Sequence, residues 1–253
     1  MKFTGDWYNN IVKSNKCSHM GHMGGNIRRE KSMQQLNPRQ MSCFTNNKAV
    51  IELINKLHMA TPGKGSHLHR GSEKNENGRS LPKSMVGINI VDYQKTPSLF
   101  VQENLAPTQV KELYNEAIMK RNNYQFSGNG QKIFGEPDEK GYSIVRNIKI
   151  QRQGSYQSNG KTIVKNYPWT VTIQNGKGIK EAGNNQGGMS CKKGSFILEK
   201  EASINMSDGD FFALFEEAYT YITAWESYCA HAFIKANEEA IIKAEEQWKN
   251  NKN

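Results

Sequence analysis

The chain has 253 residues, with 34 Lys and Arg against 24 Asp and Glu, and a formal net charge of +10 at pH 7. This length suits one large domain, or a domain of ~150 residues with an appendage. No run of ~18 apolar residues occurs, which excludes a helical membrane span. The first 16 residues lack the apolar core of a signal peptide, so we expect a cytoplasmic protein.

The positive charge is concentrated in two blocks. Residues 1–84 hold 14 Lys and Arg against 5 Asp and Glu, and residues 146–200 hold 10 against 2. The last block, residues 201–253, is acidic, with 4 against 10. Basic blocks of this kind are typical of proteins that bind polyanions, and a solubilising surface charge is the alternative.

Residues 1–84 are rich in Asn, Gly and Ser, so we separate them from an α+β domain at residues 85–253. Within them, Asn46 or Asn47 is in position to cap a short helix that ends at Met59. A second feature is a basic segment in a Gly-rich context, which predicts contacts to phosphate through Arg28, Arg29 and Lys31.

The four cysteines, Cys17, Cys43, Cys191 and Cys229, form no CxxC pair, which favours reduced thiols. A spacing of soft and borderline metal ligands occurs at Cys17, His19 and His22, but zinc needs a fourth ligand and the spacing matches no closed zinc motif. Loop histidines beside a free thiol are the simpler interpretation. Neither Gly-rich stretch near residues 175–188 matches a nucleotide fingerprint, so we predict no cofactor.

The middle of the chain alternates strand and helix patterns. Met85–Gln102 predicts a strand that breaks at residues 96–98 and resumes at Leu99. Ala106–Asn122 predicts a helix with Pro107 in its first turn. Further strands follow at Tyr142–Gln153, at Trp169–Ile173 and from Met189, with turns expected at residues 158–160 and 175–176.

The best-defined stretch runs from Gly194 to Trp225. Alternating apolar residues predict a strand, and Ser207 lies where a helix N-cap belongs. An apolar stripe at helical spacing follows, and it continues or restarts beyond Trp225 to the end of the chain. The small residues of this last part favour a helix–helix contact, either between two copies of the chain or within one.

The strands between residues 146 and 193 carry cations interleaved with aromatic residues. Cations neutralise phosphates, and exposed aromatic rings stack on unpaired bases. The predicted nucleic-acid contacts are Arg146, Lys149, Arg152, Lys161, Lys165, Tyr167, Trp169, Lys177, Lys180, Lys192 and Lys193. Trp169 shares its face with Val171 and Ile173, so a place in the core is the alternative for this residue.

Antiparallel strands that lead through Ser203–Ser207 into a helix resemble the positive-cofactor-four and Whirly type of single-stranded-DNA-binding fold. The resemblance covers residues 142–225. It implies a curved sheet of four strands that grips DNA, with helices that dimerise. The loop at residues 181–188 and the acidic extension after Trp225 depart from that pattern.

These observations predict an α+β fold: an antiparallel sheet of four or more strands, C-terminal amphipathic helices and an irregular basic N-terminal region. The predicted function is non-enzymatic binding of single-stranded DNA or RNA, because no HExxH, GxSxG or Cys–His couple occurs. Two alternatives remain. One is a phage or mobile-element protein that binds a host ribonucleoprotein, and the other is a metal-dependent nuclease that uses the N-terminal His/Cys cluster.

Overall fold

A computed structural model describes residues 37–64, 67–120, 122, 124–128, 130–183 and 188–250. It confirms the α+β class. The elements in chain order are β1 Gln40–Thr45, β2 Ala49–Lys56, β3 Met85–Asp92, β4 Leu99–Leu105, α1 Pro107–Met119, β5 Gln125–Phe126, β6 Lys132–Phe134, β7 Ser143–Arg152, β8 Ser155–Ser158, β9 Lys161–Val164, β10 Trp169–Gly178, β11 Lys180–Ala182, β12 Met189–Cys191, β13 Ile197–Met206 and α2 Asp208–Asn250.

The first sheet is antiparallel and has the strand order β1-β2-β3-β4. The prediction of a helix that ends at Met59 is wrong, because residues 49–56 form the extended strand β2. Every residue from Ala49 to Ile54 is buried, so the apolar run is a strand covered on both faces, which lacks the alternation of a half-buried strand. Asn46 caps a turn instead, since its Oδ1 accepts hydrogen bonds from the amides of Lys48 and Ala49.

The first sheet joins residues from both sides of the predicted division at residue 84. Strand β2 pairs with β3 along its whole length, from Ala49 opposite Asp92 to Lys56 opposite Met85. Strand β3 pairs in turn with β4. The part of residues 1–84 that the structure describes therefore contributes two strands to the main sheet.

The second sheet has the order β13-β10-β7-β5, and β6 also pairs with β7. The turn expected at residues 175–176 is wrong: both residues belong to β10, where the register with β13 shifts by a bulge. The Asn175 amide has a different role. Its Oδ1 accepts from the Gln102 amide at 3.0 Å and its Nδ2 donates to the Gln102 carbonyl at 2.9 Å, which attaches β10 to the free edge of β4.

The two sheets cross face to face. Strand β4 contacts β7, β10 and β13, and β13 contacts β2, β3 and β4, which is the pattern of sheets packed at a large angle. Fully buried aliphatic and aromatic side chains from both sheets fill the space between them, among them Leu53, Ile88, Val101, Ile150, Trp169, Val171 and Ile204. Burial of this apolar surface is the main stabilising contribution to the fold.

Helices α1 and α2 cover this core. Helix α1 starts at Pro107 as predicted, and it buries Val110, Leu113 and Ala117. Helix α2 confirms the N-cap at Ser207, whose Oγ accepts from the Asp210 amide at 3.2 Å while the Ser207 amide donates to the Asp210 carboxylate at 3.3 Å. It then continues as one helix of 43 residues. No helix among the described residues is both long and apolar enough to cross a membrane.

Two hairpins project from the second sheet. Strands β8 and β9 pair from Ser155 to Val164, and Asn159 and Gly160 adopt positive φ angles of 49° and 73°. These angles confirm the predicted turn, which the right-handed twist of the strands favours. Strands β11 and β12 form the other hairpin.

The cysteines differ from the sequence-based expectation. Cys43 is disulfide-bonded, so the prediction of reduced thiols is wrong there. Cys191 and Cys229 are free.

Candidate nucleic-acid interface

The predicted cations of residues 146–193 lie near the two ends of the second sheet, with Lys149 between them. Arg152, Lys161, Lys165 and Tyr167 lie near the Trp169 end of β10, whereas Lys177, Lys180, Lys192 and Lys193 lie near or beyond the Gly178 end. Nine residue steps of about 3.3 Å separate the two ends by roughly 30 Å. The cations therefore form two separate groups.

Two predicted contact residues belong to the framework. Trp169 is 0% exposed, and its ring stacks on Phe211 with 3.7 Å between centroids. Its predicted role in base stacking is therefore wrong. The indole Nε1 donates to the Asp208 carboxylate at 2.7 Å, and the Arg152 guanidinium donates to the same carboxylate at 2.8 and 3.0 Å. The hydrogen bond to Asp208 raises the pKa of Arg152. Arg152 is therefore paired, and it helps to fix the start of α2.

The outer face of the second sheet is polar and only weakly basic. Side chains of neighbouring strands hydrogen-bond across it, in the pairs Thr170–Asn205, Thr172–Ser203, Gln174–Glu201 and Asn147–Gln174. Lys149 is the predicted cation on this face, opposite Thr172. Because these polar groups satisfy one another, the face offers few free donors to a phosphate.

Beyond Asn175 the second sheet extends past the edge of β4, and its inner face is uncovered. Cross-strand partners share a face, and Asn175 is opposite Arg146, which is opposite Lys132. One further pair along, Lys177 is opposite both Ile144 and Ile197, and Ile144 is opposite Phe134. We name this set the overhang surface: Lys132, Phe134, Ile144, Arg146, Lys177 and Ile197.

The overhang surface combines cations with exposed apolar groups. Ile144 is 49% exposed, Ile197 43% and Phe134 37%. The Arg146 guanidinium lies 4.8 Å from the centre of the Phe134 ring, and the Lys177 ammonium lies 5.8 Å from that of Tyr142. Lys177 also pairs with Glu199 at 3.3 Å. A group of exposed large apolar side chains beside cations is a feature that interaction sites often have.

Sequence patterns predicted Arg146 and Lys177 but not their neighbours. Lys132 and Phe134 belong to a strand of three residues, which is too short to show alternation. Lys180 lies beside this surface, and its ammonium donates to the Gly135 carbonyl. Lys192 and Lys193 are exposed in the turn that follows β12.

A second group, the hairpin surface, comprises Tyr156, Lys161, Ile163, Lys165 and Tyr167. All of them except Lys165 are exposed, and Lys165 donates to the Gln153 side chain at 2.5 Å and lies 5.7 Å from the Tyr156 ring centre. Among the strands of the described ranges, β8 and β9 form a separate sheet of two strands. Its position relative to the main sheets is therefore less constrained than that of the overhang surface.

The other predicted site residues lie outside the described residues. They are Arg28, Arg29 and Lys31, and the metal candidates Cys17, His19 and His22. Within the described ranges, no group of three or more His, Cys, Asp or Glu side chains is placed to hold a metal ion. Asp138 caps a turn, and hydrogen bonds from the backbone amides of Tyr142 and Lys140 lower its pKa.

One arrangement has the composition of a catalytic triad. The His69 ring nitrogens lie 2.9 Å from Ser84 Oγ and 2.9 Å from a Glu226 carboxylate oxygen, and Lys111 pairs with the second oxygen of Glu226. Ser84 is only 5% exposed, and its Oγ also accepts from the His58 amide at 3.1 Å. A nucleophile must be open to its substrate. We therefore interpret this cluster as a link between residues 58–84 and α2.

Comparison with solved structures finds a weak likeness of fold. No protein-family model matches the chain, and no curated protein matches it. A crystal structure of WHY3 from Arabidopsis thaliana is similar at 10% identity with a TM-score of 0.38, over 74% of this chain and 90% of that one. This is the weak likeness to a Whirly protein that residues 142–225 predicted.

Proposed function

We propose that the protein binds single-stranded nucleic acid through the overhang surface and catalyses no reaction on it. The observation that carries this proposal is the register of the second sheet, which places Lys132, Arg146 and Lys177 on the same uncovered face as Phe134 and Ile144. Cations contact the phosphates, and the apolar and aromatic groups contact bases.

The shape of this surface favours a single strand. A duplex presents its phosphates and groove edges, and its base faces are stacked inside. The exposed side chains of Ile144, Ile197 and Phe134 can contact the faces of bases only where those bases are unstacked. A sheet edge flanked by cations also allows the sugar–phosphate backbone of a single strand to lie along it. The major groove of a duplex, in contrast, usually receives a helix.

The charge around the surface supports the same conclusion. Residues 146–200 hold 10 Lys and Arg against 2 Asp and Glu. Glu199, one of those two acidic residues, pairs with Lys177, and Asp138 also interacts with Lys177. The carboxylate of Glu103, beside Lys132, is buried. With Lys56 and Lys180 beside the surface, cations still outnumber these carboxylates, which favours a polyanion.

The test is binding of the purified chain to labelled single-stranded DNA, duplex DNA and single-stranded RNA over a salt series. We expect tighter binding to single strands, with a steep fall in affinity as salt rises. The Lys and Arg side chains that neutralise phosphates release counterions from the strand, and a higher salt concentration makes this release less favourable. Equal and weak binding to all three probes would contradict the proposal and would direct attention to a protein partner.

We also propose that the chain self-associates through the end of α2. This part of the helix exposes several large apolar residues, namely Ile234, Ile241, Ile242 and Trp248. A cavity of about 330 Å³ beside them is lined by Gly63, Ala240, Ile241, Ala244, Glu245 and Trp248. Light scattering of the wild type and of an Ile234→Glu, Ile241→Glu variant tests this. We expect a monomeric variant, and a monomeric wild type would refute the proposal.

A further inference from the structure

Three cations from three strands converge beside Asn104, at the start of the overhang surface. Lys56 on β2 donates to Asn104 Oδ1 at 2.8 Å, and Lys132 on β6 donates to the Asn104 carbonyl at 2.7 Å. Arg146 on β7 is the cross-strand partner of Lys132. Burial lowers the pKa of Lys56, and the positive charge of Arg146 lowers it further, so these two charges repel each other.

Gly87 makes this convergence possible. Lys56 lies across β3 to reach Asn104 on β4, and it passes over the position where a side chain of residue 87 would be. A Cβ atom built on Gly87 would lie 2.9 Å from Lys56 Cε and 3.0 Å from Lys56 Nζ. An alanine methyl at this position would therefore make the flexible end of Lys56 move by a few tenths of an ångström, and a larger side chain would occupy the path of Lys56 to Asn104.

The charges at this point do not balance. Glu103 is the acidic partner, at 2% exposure, with its Oε1 3.5 Å from Lys132 Nζ and 2.8 Å from the Asn104 amide. Its Oε2 has no hydrogen-bond partner. One carboxylate thus faces three cations, and like charges opposite each other on neighbouring strands are destabilising. Lys56, Lys132 and Arg146 all remain partly exposed, so an anion from solvent has access to them.

We propose that Lys56, Lys132 and Arg146 form a seat for one backbone phosphate of the bound single strand. The proposal rests on the function proposed above and adds a location to it. A phosphodiester brings the negative charge that the cluster lacks. Phe134, beneath Arg146, is then next to the seat and available to an adjacent base. Glu103 and Asn104 position the cations and do not contact the strand.

The Gly87→Ala variant tests the seat without a change in net charge. Lys56→Gln removes the charge itself, and Lys243→Gln is the control because it removes an exposed cation from α2, remote from the seat. Each variant is titrated with the same labelled single strand from low to high salt. Thermal unfolding confirms that each variant is folded.

We expect Lys56→Gln to reduce the salt slope by at most about 0.7 and the affinity by at most about fourfold at ~0.15 M salt, which is the effect of losing one phosphate contact on a single strand, because Lys132 and Arg146 remain. Gly87→Ala should lose less affinity than Lys56→Gln, because the ammonium group is shifted but kept, and Lys243→Gln should match the wild type. If Lys56→Gln binds like the wild type while the Phe134→Leu, Lys177→Gln variant, which keeps all three seat cations, does not, the seat is refuted and the proposed function stands. If the wild type itself binds no single strand, both are refuted.

Discussion

The Asp208 carboxylate should be a principal anchor of the fold. It is the first residue of α2, and it accepts two hydrogen bonds from Arg152 and one from Trp169. The Arg152 side chain is 14% exposed and that of Asp208 is 32% exposed. Asp208→Asn removes the charge from this pair but keeps nearly the same volume, so the packing of Trp169 on Phe211 is preserved.

The expected loss follows from these contacts. A hydrogen bond to a charged group contributes about 1.5–3 kcal/mol, and an acidic residue in the first turn of a helix adds about 0.3–1 kcal/mol. Water compensates part of this at a carboxylate that is one third exposed, and the three bonds are not additive. We therefore expect Asp208→Asn to lower the free energy of unfolding by about 2–3 kcal/mol.

Urea unfolding of Asp208→Asn, Arg152→Met and the double variant measures this loss and the coupling between the two residues. The control is Glu217→Gln, an exposed position on the same helix, which should change stability by less than about 0.5 kcal/mol. A similarly small change in Asp208→Asn would refute the assignment. Arg152→Met should leave the affinity of the folded protein for single strands unchanged, which separates a structural role from a binding role.

Two further predictions concern contacts between elements. Asn175→Ala leaves the Gln102 amide and carbonyl without their partner and should cost about 2 kcal/mol in urea unfolding, whereas a change below about 0.5 kcal/mol would show that the amide is dispensable. Burial raises the pKa of Glu226, but hydrogen bonds from His69 and Lys111 outweigh it and leave the pKa lowered. A carboxylate with a lowered folded-state pKa stabilises the protein at pH values above its unfolded-state pKa. This contribution is lost as the pH falls through the folded-state pKa, so Glu226→Gln should lose less stability than the wild type between about pH 5 and about pH 3. Identical pH profiles would contradict this.

Local signals in the sequence predicted the C-terminal part of the fold well. The Ser207 cap, the alternation before it and the apolar stripe after it each depend on neighbours within a few residues. The helix predicted to end at Met59 failed because β2 is buried on both faces, so its apolar residues fit helical spacing by chance. Only pairing with β1 and β3 shows that it is a strand.

The candidate site was harder to predict for the same reason. Arg146, Lys132 and Lys56 are far apart in sequence. They meet because β6 and β7 lie beside the edge of β4, while Lys56 reaches Asn104 from β2 across β3. The alternation of residues around Trp169 does not show which face of the strand is toward solvent. The packing of Phe211 against the Trp169 ring shows that this residue is buried. Charge counts identified a basic region, but its division into two groups depends on the length of β10.

The central claim is that the overhang surface binds single strands. A matched pair of double variants tests it most directly. Phe134→Leu with Lys177→Gln removes one ring and one cation from the overhang surface, and Tyr156→Leu with Lys161→Gln removes the same from the hairpin surface.

Both variants are titrated with a labelled single-stranded oligonucleotide at fixed salt, after thermal unfolding has shown that they are folded. We predict that the overhang variant binds at least about tenfold more weakly than the wild type, from the loss of one stacking platform and one phosphate contact, and that the hairpin variant binds like the wild type. Equal affinity of the two variants, or a loss confined to the hairpin variant, would contradict this account.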